Sequence, residues 1–147
     1  MSCLRNTALA LALSMTAFAA PATAQESNKD LVVRAVTELF SDKDLTAIDR
    51  YWADSYLQRN PGLASTSAAL KEALKDMPAD MTYEIGMVIA EGDLVAIHGR
   101  YTGWGPTPLI AVDIYRVEKG KIADHWDVGQ DEVLETVSGL PMFEPME

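Results

Sequence analysis

Four residues in the C-terminal half have side chains suited to moving protons: His98, Asp113, His125 and Asp127. Asp113 interrupts the apolar run from Leu109 to Tyr115, where an isolated charge would be costly. It is therefore either paired with a cation such as Arg100 or Arg116, or used chemically. His98 lies mid-run among Leu94, Ala96 and Arg100, as a structural strand histidine or as an acid/base partner. His125, Trp126 and Asp127 are consecutive, and Lys121 and Asp124 nearby suggest a partly solvated strand for His125. Asp127 either caps the end of that strand in water or faces a pocket. The four lack a recognised metal-ligand spacing, so no metal is expected. Nucleophile elbow, phosphate loop and dinucleotide fingerprint are all missing, and no organic cofactor is expected.

The elements that must position these groups follow from apolar periodicity. Asn28 is a candidate cap for a first helix with the stripe Leu31, Val32, Ala35, Val36, Leu39 and Phe40. Asp44 starts a second, with Leu45, Ile48 and Trp52 on one face. After the loop from Gln58 to Gly62, a third begins near Ser67, carries Leu70, Ala73, Leu74 and Met77, and stops at Pro78. From Met81 the pattern alternates, and the short links at Glu91-Gly92-Asp93 and Glu118-Lys119-Gly120 require antiparallel neighbours. Three helices followed by a strand meander predict an α+β fold, a cone-shaped roll with helices packed on a curved antiparallel sheet. The space between the two layers suits a small ligand. Simple alternation in the last strand puts Ala123, His125 and Asp127 on one face, with Ile122, Asp124, Trp126 and Val128 on the other.

Composition narrows the chemistry further. Residues 1–24 combine Arg5, an apolar run from Ala8 to Ala20 and an Ala22-Thr23-Ala24 site, the pattern of a cleavable signal peptide. The run is too short to span a bilayer, so a periplasmic or secreted protein with no membrane association after cleavage is expected. Cleavage would leave residues 25–147 as one domain and remove Cys3, the only cysteine, and with it any thiol chemistry. The net charge of −10, made one unit more negative by loss of Arg5, disfavours nucleic acid as a partner.

Four separated strings, YLQRNP at 56–61, AEGDLVAIH at 90–98, VDIYRV at 112–117 and GKIADHWDV at 120–128, resemble the SnoaL-like branch of the nuclear transport factor 2-like superfamily. The resemblance covers nearly all of the chain after the leader, including the tail from Gly139 to Phe143. It implies an α+β cone that is commonly a homodimer through the outer face of its sheet. For activity it implies intramolecular aldol-type chemistry without metal or cofactor, with Asp127 as general acid/base. A carboxylate in an apolar pocket can do this because burial disfavours its charge. Arg59 stands where the branch often has His, a departure from its pattern.

The candidate set is then Asp127, Asp113 and His98 for catalysis, with Tyr51, Tyr56, Arg59, Trp104, Tyr115, His125 and Trp126 for binding. Tyr51 and Tyr56 are expected in the core or pocket wall, their hydroxyls placed to orient a carbonyl. Trp104, in the Gly103 to Pro108 loop, is either a flap over the mouth or a rim anchor, and Trp126 is expected to pack rather than react. Two readings remain: an exported acid/base enzyme of aldol, isomerase or dehydration type acting on a small apolar carbonyl compound, or a non-catalytic binding protein with the same pocket.

Overall fold

The structure, a computed structural model, describes residues 26–146. The leader expected at 1–24 lies outside the described residues. Helix α1 spans Asn28–Val36. Its cap is Ser27 rather than Asn28, because the Ser27 hydroxyl accepts the Asp30 backbone N–H at 3.1 Å. The apolar stripe runs on through a π-helical turn, Thr37–Ser41, that buries Leu39. Helix α2 covers Thr46–Tyr51, and α3 covers Ser67–Leu74 with the Thr66 hydroxyl capping Ala69 N–H. Leu31, Val32, Ala35, Val36, Ala47, Ile48, Leu70 and Leu74 form the buried helix layer.

Trp52 does not continue α2 but opens a strand, β1, at Trp52–Gln58. The remaining strands are β2 (Thr82–Glu91), β3 (Leu94–Thr102), β4 (Leu109–Glu118) and β5 (Lys121–Asp131). They form one open five-stranded sheet in the order β1-β5-β4-β3-β2. The meander from β2 to β5 is antiparallel as the short links require, whereas β1 adds a parallel edge beside β5. Gly92 (φ 61°), Lys119 (φ 51°) and Gly120 (φ 73°) supply the left-handed backbone of the two tight hairpins.

Two bulges decide which side chains face the helices. In β5, Asp124 pairs with Arg116 and Ile122 with Val117, leaving Ala123 as the extra residue. Ile122 therefore joins His125 and Asp127 on the inner face, against the simple alternation expected from the sequence. Asp124, Trp126 and Val128 point outward. In β2, the bulge at Gly86 receives the C-terminal tail on the outer face. A Cβ there would lie 2.6 Å from the Glu144 carbonyl and 2.8 Å from the Phe143 ring. Phe143 is buried at this crossing, with the Arg100 guanidinium 4.8 Å from its centroid. The Met146 N–H bonds to Ile85 O at 2.9 Å.

Candidate functional site

Between α3, the end of β1 and the inner faces of β3, β4 and β5 lies a cavity of about 290 Å³. Its walls are apolar, from Phe40, Leu63, Leu70, Leu74 and Leu109, and its floor is polar, from Gln58, Asn60, Asp113, His125 and Asp127. Trp104 stands at the mouth, 47% exposed and edge-on to Tyr101. Its loop leaves β3 through Gly103 (φ 82°), where a Cβ would sit 3.0 Å from Asp80 O and Met81 Cα.

The floor is held by register. Asp113 and Asp127 are direct partners on β4 and β5, and so are Tyr115 and His125. Asp113, only 3% exposed, is bonded at both oxygens. Tyr101 O–H donates to Oδ2 at 3.0 Å, and His125 Nε2 lies 3.2 Å from Oδ1. The other imidazole nitrogen, Nδ1, is 2.9 Å from Gln58 Oε1, and the Tyr115 ring packs on the imidazole at 4.8 Å. Asn60 donates from Nδ2 to Asp127 Oδ2 at 2.6 Å, while its own Oδ1 accepts Gly62 N–H at 2.8 Å, which orients the amide. Among the described residues, Asp127 Oδ1 accepts no hydrogen bond. Burial, reinforced by the Asp113 charge, pushes the Tyr101 and Tyr115 phenols well above their ordinary range, so both keep their protons.

Five of the residues singled out from sequence meet in this cavity: Asp113, Asp127, His125, Tyr115 and Trp104. Asp113 pairs with neither Arg100 nor Arg116, which bind Glu84, Glu132, Asp93 and Asp124 instead. The other five lie elsewhere. His98 projects from the outer face, where alternation in β3 turns it away from the buried Ile97 and Gly99 and towards the Phe143 ring at 5.9 Å. It is not placed to assist chemistry in the cavity. Tyr51 lies on the helical surface, donating to Glu38 Oε1 at 2.8 Å with Arg34 and Arg50 over its ring. Tyr56 is core, with its hydroxyl behind Gln58 rather than in the pocket. Arg59 and Trp126 are outside: Arg59 grips Asp124 with bonds of 2.9 and 3.3 Å, and the Arg59 and Arg116 guanidiniums lie 5.6 and 5.2 Å from the Trp126 ring centroid. Arg59, standing where the resemblance places His, thus contributes to the outer face and not to the pocket.

Gln58, Asn60 and Tyr101 are polar residues of the cavity that sequence reasoning passed over. Gln58 and Asn60 flank Arg59 inside the 56–61 string, and the alternation Tyr56, Gln58 was the signal for an inward amide. Asp113, His125 and Asp127 present ligand atoms within 4.8 Å of one another, a spacing that could hold a metal ion. A cation ligated by His125 Nε2 would have to replace that nitrogen's contact with Asp113 Oδ1.

The SnoaL-like domain model matches residues 33–125, well over half of the chain, and the chain belongs to that family, within the nuclear transport factor 2-like superfamily. No curated protein matches the sequence. A nuclear transport factor 2-like protein of unknown function from Cytophaga hutchinsonii superposes with a TM-score of 0.64 at 18% identity, covering 74% of this chain and 95% of that one. A candidate ketosteroid isomerase from Kribbella flavida gives 0.62 at 17%, covering 82% and 91%. A candidate polyketide cyclase from Acidithiobacillus ferrooxidans gives 0.59 at 18%, covering 74% and 91%. At these identities the likeness is one of fold.

Proposed function

We propose that the protein is an exported, cofactor-independent acid/base enzyme of the isomerase or cyclase type, moving a proton next to the carbonyl of a small apolar compound. The observation that carries this reading is Asp127. Asn60 fixes one of its oxygens, the other is unbonded among the described residues, and the residue borders an apolar-walled cavity beside the Asp113–His125 pair. A carboxylate so held can take a proton from carbon, and donors on the same floor can meet the negative charge that then develops on oxygen. The described residues include no helix long and apolar enough to cross a membrane.

The test is proton exchange rather than a guessed natural reaction. The wild-type protein in D2O is expected to accelerate deuterium uptake at the benzylic α-carbon of 2-tetralone, a compact benzo-fused cyclic ketone, and Asp127→Asn is expected to lower that rate at least 100-fold, the scale of general acid/base catalysis. Binding of the ketone without exchange would overturn the enzymatic reading and leave a binding protein.

The reading includes a homodimer. Met87, Ile89 and Val128 expose apolar surface on the outer face, Ile89 and Val128 at 61% and 69%. Sedimentation should give a dimer that Ile89→Asp with Val128→Asp converts to monomer; a monomeric wild type would contradict it.

A further inference from the structure

We propose that Gln58 is a positioning residue: it fixes the proton of His125 on Nδ1, so that Asp113 and His125 hold a single mobile proton between Nε2 and Oδ1. The Asn60 N–H can only donate, and it lies 2.9 Å from the Gln58 side chain, so the atom it meets is the amide oxygen. The amide nitrogen then points at the Tyr56 hydroxyl, 3.0 Å away. Burial pushes the Tyr56 phenol up, so it remains a hydroxyl with a lone pair to accept that bond.

With Gln58 oriented in this way, His125 Nδ1 lies 2.9 Å from an oxygen that only accepts, and Nδ1 must therefore carry hydrogen. Nε2 is left facing Asp113 Oδ1 at 3.2 Å. Without a proton between them, two lone pairs would meet in a buried site. One proton must lie there, as imidazolium with carboxylate or as imidazole with carboxylic acid, and the pair is neutral in either form. The Tyr101 O–H donating to Asp113 Oδ2 favours the carboxylate, which puts the proton on Nε2.

The consequence for turnover rests on the proposed acid/base function. Asp127 takes the α-proton, the electron pair left on carbon forms a C=C bond to the carbonyl carbon, the C=O π pair moves onto oxygen, and the enolate oxygen is met by the proton held at His125 Nε2. On recapture of a proton at carbon, the pair regains its own. Gln58 touches no substrate; it keeps the one movable proton of the imidazole on the side of Asp113 and the cavity. A site that holds two carboxylates and one imidazolium favours a neutral ketone or phenol-type compound over a carboxylate substrate.

The test is a long-range 1H–15N spectrum of protein labelled in its two histidines, titrated from neutral to alkaline pH. His98→Gln, on the outer face, assigns the signals. The groups facing the His125 ring are Gln58, Asp113, Asp127 and Tyr115. In the wild type, Nδ1 is expected to stay protonated when the ring becomes neutral. Gln58→Met should shift the neutral ring to the Nε2–H form and lower kcat for ketone exchange about tenfold, with KM little changed. Gln58→Glu, which restores an oxygen at Nδ1, should recover the Nδ1–H form. A neutral wild-type ring protonated at Nε2 overturns the proposal whether or not Gln58→Met folds, as does an unchanged tautomer in folded Gln58→Met. The wild-type spectrum needs no substrate: the expected tautomer without ketone exchange would support the proton placement while overturning the enzymatic reading.

Discussion

Two buried carboxylates on neighbouring strands of one sheet, Asp113 on the inner face and Asp124 on the outer, are equally hidden at 3% exposure and differently partnered. Asp124 is held by Arg59 at 2.9 and 3.3 Å and approached by Arg116 at 3.6 Å. Asp113 is held by a tyrosine hydroxyl and an imidazole. Guanidinium groups do not give up their protons in the working range, so the outer cluster is locked as a charged structural clamp. An imidazole can give up its proton, so the inner cluster has the same burial but, on the proposed placement, a proton that can move. Burial alone therefore does not separate a structural carboxylate from one beside a transferable proton; the nature of its partners does.

Breaking the outer clamp should cost stability and spare chemistry. Asp124→Asn is expected to lower unfolding free energy by about 2 kcal/mol in urea titration, the scale of charge-assisted bonds lost in a partly buried setting. Its ketone exchange per folded molecule should be unchanged; a matching loss of exchange would erase the distinction between the faces. A smaller effect sharpens the inner side. Tyr101→Phe leaves Asp113 Oδ2 without its donor and should cost about 1 kcal/mol together with a fall in exchange rate. Tyr83, whose ring lies 4.6 Å from that of Tyr101, is the comparison: its hydroxyl is buried and reaches no partner within normal hydrogen-bond length. Tyr83→Phe should change stability by less than about 0.5 kcal/mol or raise it, since it removes a buried polar atom that nothing satisfies.

The helices and the meander were legible because their signals are local. The stripe from Leu31 to Leu39, the alternation in β3 and β4, and the tight links at Gly92 and Gly120 each declare an element within a few residues. Strand β1 was not legible. Trp52 sits three and four residues beyond Asp49 and Ile48 in a helical pattern, and the pairing that makes it a strand is with Ile122, far along the chain. The site divides in the same way. Asp113 stood out as a charge in an apolar run, and Asp127 rested on resemblance. His98 was preferred to His125 for catalysis from sequence, and the structure reverses that order, because only the direction of alternation relative to the helix layer separates them. The Ala123 bulge sets that direction for β5, and it leaves no local signature. Gln58 and Asn60 read as loop polarity until β1 brought them against β5.

The most direct test of the difference between the two faces is the rate of deuterium uptake by 2-tetralone measured side by side for Asp127→Asn and Asp124→Asn, each normalised to folded protein. The expected result is a loss of at least about 100-fold for Asp127→Asn and less than about threefold for Asp124→Asn. Equal losses, or wild-type exchange in Asp127→Asn, would contradict the assignment of the mobile proton to the inner face.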